Sequence, residues 1–129
     1  MRSYWFKLVL TGFLLAAMLG VASTGARTVW DAPELGTVAL NALPAQGQDT
    51  QRLVYQGGPF PFDKDGVVFA NRERLLPPHR RGYYREYTVR TPGSRDRGAR
   101  RIICGGPATQ PDDCYYTADH YASFRKIVP

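Results

Sequence analysis

The sequence predicts an α+β domain in which one N-terminal helix packs on an antiparallel sheet. Three observations carry that expectation. A single helical stretch, roughly Ala45 to Gln56, lies between Pro44 and the pair Gly57-Gly58. Beyond Pro78 the chain turns to aromatic and β-branched residues in three segments: Tyr83 to Arg90, Arg100 to Cys104 and Ala122 to Val128. The turn residues Thr91-Pro92-Gly93 and Arg97-Gly98 join the first two segments, so neighbouring strands are expected to run antiparallel. A chain of 129 residues suits one compact domain, and 22% charged with 12% aromatic residues is a globular composition rather than a disordered one.

Taken in order, the first segment reads as an export signal. Arg2 and Lys7 precede an apolar run from Leu8 to Ala22, and small residues follow up to Ala26. Thr11 and Gly12 interrupt the run, which falls short of the ~20 residues a spanning helix needs; an uncleaved anchor is the competing reading. Cleavage is placed after Ala26, with Val21-Ala22-Ser23 as a usable alternative, so residues 1–26 are signal and 27–129 a single domain. The stretch 27–36 is expected to be a loosely held arm, and Thr37 to Leu40 a short strand. Pro44 suits the first turn of the helix, where its missing N–H goes unused. Leu53 and Val54 are the expected buried anchors, Gly47 weakens the helix and Gly57-Gly58 stops it. A long irregular connection follows, punctuated by Gly58-Pro59-Phe60-Pro61-Phe62 and Asp65-Gly66. No repeat and no low-complexity tract is present.

The charge is unevenly placed. Losing the signal removes Arg2 and Lys7 and lowers the net charge from +6 to +4, so the basic surplus belongs to the domain. Arginines crowd the span from Arg72 to Arg101, opposed only by Glu73, Glu86 and Asp96. A polyanionic partner (nucleic acid, an anionic membrane surface or an acidic protein) and plain solubility both account for this pattern. Export places Cys104 and Cys114, the two cysteines, in an oxidising compartment where they are expected to pair across the Gly-, Pro- and Asp-rich loop between them. Closing so short a loop contributes on the order of 2–3 kcal/mol in the chain-entropy model. Metal binding by the pair lacks support, because no further Cys or His stands at ligand spacing. His79, in Pro77-Pro78-His79-Arg80, reads as an exposed turn residue.

Two residues invite a chemical reading. Alternation along the first long strand puts Glu86 on one face with Tyr84 and Thr88, and Tyr83, Arg85, Tyr87 and Val89 on the other. Glu86 is either a solvated or salt-bridged strand residue, with Arg85 a ready partner, or a catalytic carboxylate. His120 is either a turn residue or an acid–base group. A carboxylate, a histidine and clustered arginines together make a minimal acid–base set with anion binding, provided that the fold brings them together. Other templates fail: the chain has no GxSxG elbow, no phosphate-cradling glycine loop before a helix and no HExxH. A glycosidase pair of Glu86 with Glu73 or an aspartate leaves the arginines and His120 idle.

Five segments occur in order along the chain: Gly58-Pro59-Phe60-Pro61; Asp65 to Glu73, reading DGVVFANRE; Tyr83 to Val89, YYREYTV; Thr91 to Ile102, TPGSRDRGARRI; and Asp119 to Phe124, DHYASF. Together they resemble the secreted guanyl-specific microbial ribonucleases of the barnase type, from about Thr37 to Ile127. The resemblance implies that family's fold, a helix packed on a twisted antiparallel sheet. It implies Glu86 as general base, His120 as general acid, Arg97 and Arg101 as phosphate-binding groups and Tyr121 as an active-site tyrosine. Phe69 to Glu73 would form the guanine-recognition loop, with backbone N–H groups around Asn71 and Arg72 aimed at O6 and the Glu73 carboxylate at N1–H and N2–H. Phe69 and Tyr121 would add apolar or stacking contact. The implied reaction needs no metal or other cofactor: the ribose 2′-OH attacks phosphorus to give a 2′,3′-cyclic phosphate, which water then opens. The expected partner is single-stranded RNA, met by a secreted monomer without stable membrane association after signal removal, and an acidic barstar-like inhibitor is implied as well.

Three departures stand out. Ala70 occupies a position where relatives often carry Gln or Ser, Phe62 stands at a common tyrosine, and the cysteines do not reproduce the family's long-range disulfide. The competing functional class is a secreted cationic protein that coats RNA or anionic surfaces without turnover.

Overall fold

The structure is a computed structural model, and it describes residues 34–129. The expected signal at 1–26 and all but the end of the expected arm lie outside the described residues. Of the arm's last residues, Leu35 packs against the core and Gly36 already opens a strand. The chain then forms β1 (Gly36–Ala39), a 3₁₀ turn (Leu40–Ala42), α1 (Ala45–Gln56), β2 (Tyr84–Thr88), β3 (Arg101–Gly105), β4 (Asp113–Thr117) and β5 (Arg125–Val128). The five strands form one sheet in the order β1-β5-β4-β3-β2. β2 to β5 are a continuous antiparallel meander, while β1 pairs parallel with β5 and makes the sheet mixed.

The helix has the bounds its punctuation indicates. Gly57 takes φ 77°, a left-handed conformation that glycine adopts without Cβ strain. Its N–H reaches Val54 O at 3.2 Å and that of Gly58 reaches Leu53 O at 3.0 Å, which closes the last turn with the paired bonds of a Schellman cap. Pro44 stands one position earlier than expected, as the extended residue before the first turn, and its carbonyl accepts from Gly47 and Gln48. Val54 is fully buried, whereas Leu53 is only half-buried. Gly47 is also buried, against the Leu43 side chain, where a Cβ would make ordinary contact 3.4 Å from Leu43 Cβ.

The sheet has two covered faces. On the helix side Val54 and Leu43 pack with Tyr87, Val89, Ile102, Cys104, Cys114 and Tyr116. On the other side Tyr84, Ile103 and Tyr115 pack under Leu76 and Phe124. Thr50 ties the layers together, its hydroxyl donating to the Thr88 carbonyl at 3.0 Å. Cys104 and Cys114 are directly opposed across β3 and β4 and are joined in a disulfide.

Three expectations about the strands change. β4 is not among the three expected strands: the Gly-, Pro- and Asp-rich loop ends at Asp113, and Cys114 to Thr117 shows no polar alternation. The alternation is missing because both faces of β4 are buried. β5 starts at Arg125 instead of Ala122, since the preceding residues belong to a turn held by Asp119 and send Phe124 into the second core. β2 is shorter than Tyr83 to Arg90, though Val89 N still bonds to Arg100 O at 3.1 Å.

Candidate active site

Strand pairing decides where the chemistry stands. Glu86 is opposite Ile103, Thr88 opposite Arg101, and Arg101 opposite Thr117. One face of β2–β3–β4, away from the helix, therefore presents Glu86, Thr88, Arg101 and Thr117 side by side, as the period of a strand requires. Glu86 is 9% exposed and is not paired with Arg85, whose guanidinium instead donates to Gly66 O at 2.8 Å. Its carboxylate accepts from Arg97 Nη2 at 3.2 Å on one oxygen and from the Tyr121 hydroxyl at 2.7 Å on the other. Arg97 is aimed by Thr88, whose hydroxyl accepts from its Nε and Nη2 at 3.0 and 2.9 Å. Burial and the Glu86 carboxylate push the Tyr121 pKa upward, Arg101 opposing, so the hydroxyl stays protonated as donor to Glu86.

Arg101 is 3% exposed. One Nη donates to the carbonyls of Gly98 and Arg100 at 3.0 and 2.7 Å, folding the 97–100 loop around the guanidinium. Its buried Nε has no protein partner, and its guanidinium carbon sits 5.9 Å from the Tyr121 ring centre. Two arginines thus face one carboxylate, which leaves a local positive surplus fit for an anion.

His120 and Tyr121 arrive on a short loop after β4, both in the left-handed region at φ 55° and 71°. Non-glycine residues hold such angles only when the surroundings impose them. Here Thr117 Oγ1 accepts from Tyr121 N at 3.2 Å and donates to Asp119 at 2.9 Å, and Asp119 accepts from the Ser123 amide at 2.9 Å. His120 N bonds to Ala99 O at 2.9 Å, tying this loop to the one that carries Arg97. The imidazole is exposed, with its ring centre 4.8 Å from that of Tyr121.

The segment before Phe69 to Glu73 runs beside β2. Gly66 N bonds to Glu86 O, Glu86 N to Val67 O and Phe69 N to Tyr84 O, at 2.7, 3.0 and 2.9 Å. This pairing fixes the loop relative to Glu86. Asn71, at φ 51°, clasps the loop through both ends of its amide: Nδ2 donates to Leu76 O at 2.9 Å and Oδ1 accepts from Leu76 N at 3.2 Å. Its side chain is thus engaged in holding the loop. Phe69 stacks on Tyr121 at 5.4 Å. An open cleft of about 740 Å³ lies between the two loops, lined by Phe69 to Glu73 on one side and His120, Tyr121 and Phe124 on the other. Glu73 is exposed on this cleft and forms no ion pair with Arg72 or Arg74 among the described residues.

A family model described as ribonuclease matches residues 28–128. The chain belongs to this ribonuclease family. It is 61% identical over 93 residues to guanyl-specific ribonuclease Sa3 of Kitasatospora aureofaciens, covering 72% of this chain and 64% of that relative, a little under two thirds of its length. Guanyl-specific ribonuclease Sa of the same organism is 60% identical over 92 residues, covering 71% of this chain and 93% of the relative. Among solved structures, ribonuclease Sa2 in complexes with mononucleotides superposes with a TM-score of 0.70 at 49% identity, over 75% of this chain and 97% of that one. A crystal structure of Sa2 with guanosine-2′-cyclophosphate matches at 0.67 and 48%, over 74% and 97%.

The ribonuclease uses several residues that sequence reasoning did not single out for the site. Thr88 aims Arg97, Thr117 and Asp119 hold the His120 loop, and Phe124 backs the cleft. Thr88 was legible as a face-mate of Glu86 but carried no signal of its partner. Asp119, four residues before Ser123, carried the spacing of a side-chain cap.

Proposed function

We propose that this ribonuclease cuts single-stranded RNA on the 3′ side of guanosine, by transesterification to a 2′,3′-cyclic phosphate and then hydrolysis to the 3′-phosphate. The observation that carries the reading is one continuous arrangement: Glu86 held between Arg97 and Tyr121, beside a cleft whose walls are the Phe69–Glu73 loop and His120. Glu86 takes the proton from the ribose 2′-OH, whose oxygen then forms a bond to phosphorus. Protonated His120 gives its proton to the departing 5′-oxygen as that P–O bond breaks. Arg97 and Arg101 hold the phosphate and stabilise the charge that grows on its oxygens. In the second step the roles exchange: His120 takes a proton from water and Glu86 returns one to the 2′-oxygen. DNA lacks the attacking hydroxyl and is bound without being cut.

Guanine enters the cleft beside the stacked Phe69 and Tyr121 rings, with Glu73 accepting from N1–H and N2–H and the backbone of Asn71 and Arg72 facing O6. Adenine has no 2-amino group and an acceptor at N1, so it leaves Glu73 without partners. Ala70 contributes no side-chain polar contact, which leaves reading of the base to the backbone and Glu73. The disulfide between Cys104 and Cys114 fits an oxidising compartment, and we place the protein outside the cell as a monomer. Its basic cleft also suits blockade by an acidic, barstar-like protein.

The test is digestion of RNA by the purified domain in chelator between pH 5 and 8, with product ends identified. Cyclic phosphates 3′ of guanosine are expected. Intact RNA with retained binding would instead support a non-catalytic cationic protein.

A further inference from the structure

Behind the recognition loop a second surface combines arginines with an aromatic stack. His79 lies on Tyr83 with ring centres 3.6 Å apart and planes 13° from parallel, and its edge meets Tyr84 at 5.7 Å. Tyr83 is fixed from two sides. Its hydroxyl donates to Asp112 at 3.0 Å, and its ring lies so close to Gly105 that a Cβ there would overlap it. His79 itself is exposed, so the stack ends in an open aromatic face. Arg80 and Arg81 follow immediately, both exposed and without an ion-pair partner among the described residues. A groove of about 250 Å³ takes Phe69 to Arg72 as one wall, shared with the guanine cleft, and His79, Arg80 and Arg81 as the other. Beyond it, a wider depression of about 750 Å³ continues past Arg80 and Arg81 over Tyr83 to Gly106.

We propose that this groove is a subsite for the RNA segment on the 5′ side of the guanosine, taking a base on the open face of His79 and backbone phosphates on Arg80 and Arg81. The inference rests on the guanosine reading above. Its direction follows from the placement of the parts. The scissile phosphate, on the 3′ side, belongs at Glu86, Arg97 and Arg101. Tyr84 and Tyr83 lie two and three residues before Glu86 on the chain, roughly 7–10 Å at the rise of a strand. The recognition loop stands between the two ends, so the strand leaving the guanine away from the catalytic carboxylate carries the 5′ nucleotides. Aromatic faces interleaved with unpaired arginines are the surface that single strands use without reading sequence, since every base has a π-face. One acid, Asp112, borders the wider depression and is engaged by the Tyr83 hydroxyl.

The experiment measures binding and cleavage separately. Binding uses fluorescent RNAs with a single 2′-deoxyguanosine, which cannot be cut there, carrying two adenosines on either the 5′ or the 3′ side. Cleavage uses the dinucleotide GpA and its 5′-extended form ApApGpA. In the unaltered protein the 5′ extension is expected to tighten Kd roughly five- to fiftyfold, and to lower KM for ApApGpA by a similar factor. The pair Arg80→Ala and Arg81→Ala together, and separately His79→Ala, should abolish that gain. The double variant should also flatten the salt dependence of binding by about 1.4 in log–log slope, with GpA turnover unchanged. No gain from the 5′ extension, or an equal loss of 5′- and 3′-extended RNAs in the variants, overturns the subsite. A matching loss of affinity for polyglutamate also overturns it, because that marks a general anion surface. Failure to cut GpA at all counts against the guanosine reading alone, since the binding comparison stands without turnover.

Discussion

The two faces of this sheet are made by the same strands and do opposite work. On the helix side the alternate residues of β2, β3 and β4 are Tyr87, Ile102, Cys104, Cys114 and Tyr116, closed over by Val54 and Leu43. On the other side, one residue along in each strand, stand Glu86, Thr88, Arg101 and Thr117. The first face removes apolar surface from water, at roughly 1.5–3 kcal/mol for each large side chain fully buried. The second also buries Tyr84, Ile103 and Tyr115, but beside them it sets a carboxylate and a guanidinium, groups that cost free energy unless their partners are in place. Period-two alternation lets one rigid element stabilise the fold and aim a polar set, so changes at the helix-side residues and at Glu86 should separate into loss of stability and loss of rate.

The sharpest separation comes from Glu86→Gln and His120→Gln. Each keeps shape while removing a proton acceptor or donor, and each is expected to lower kcat for GpN by roughly 10²–10⁴-fold with RNA affinity largely retained. Single-turnover kinetics beside a binding isotherm measures both quantities, and near-normal cleavage removes the role assigned. The converse is Ile102→Ala, at a position with no exposure directly under the helix. It is expected to cost about 2–5 kcal/mol of unfolding free energy in denaturant titration. Turnover of the fraction that remains folded should stay within a factor of about two, far from the 10²-fold scale of a lost acid or base. A large rate loss there would show that the faces are coupled.

The Cys104–Cys114 link belongs to the helix side and acts on the unfolded chain. Protein purified without reductant is expected to show no free thiol, and reduction to remove about 2–3 kcal/mol without abolishing the fold. Quantitative labelling of two thiols in unreduced protein overturns this expectation.

What could be read in advance divides along the same line. The bounds of α1 were legible because Pro44 and Gly57-Gly58 act locally, through backbone angles available to few other residues. The grouping of Tyr84, Glu86 and Thr88 was legible because alternation is also local. β4 was not, since burial on both faces erases the pattern that marks a half-exposed strand. The parallel pairing of β1 with β5 joins residues some ninety positions apart, as Gly36 with Arg125, and no local signal reports it. In the site, the proposed acid and base and the arginines stood out by residue type and family register. Their supports did not: Thr88 is an ordinary strand threonine until Arg97 folds back on it, and Asn71 reads as a loop residue until its amide meets Leu76.

A smaller effect is expected at the Phe69–Glu73 loop, where Glu73 is exposed and its proposed role bears on choice of base more than on rate. Glu73→Ala should cost guanosine substrates roughly 5–150-fold in kcat/KM, the scale of one lost bidentate contact, and leave adenosine substrates nearly unchanged. Comparing GpN with ApN for both proteins measures it. Equal turnover of GpN and ApN by the unaltered enzyme refutes base reading by this loop and leaves Glu86 and His120 standing.

The smallest effect tests whether the catalytic face is held as firmly as the apolar one. Asp119 touches neither helix nor cleft, yet it accepts from Thr117 and Ser123 and so closes the turn in which His120 and Tyr121 keep left-handed angles. The Ser123 hydroxyl foremost, helped by that of Thr117 and the Ser123 amide, holds its pKa below the ordinary 3.8, against an opposing effect of burial that outweighs either helper alone. A depressed carboxylate pKa adds stability that is fully present above the unfolded value and disappears as pH falls through the folded one. Asp119→Asn, which turns one acceptor into a donor facing the Ser123 hydroxyl, should therefore lower Tm slightly near neutral pH. The gap to the unaltered protein should close as pH drops below about 3.8, the ordinary carboxylate value. Asp96, likewise depressed by Ser94 and the Gly98 amide, is common to both proteins and cancels in the difference. Because the loop carries the proposed general acid, kcat/KM at pH 7 should also fall, by roughly two- to tenfold, through misplacement of His120 rather than loss of its proton. A gap in Tm that does not narrow in acid, together with unchanged kcat/KM, would mean that Thr117 and the His120–Ala99 backbone bond position the acid without Asp119.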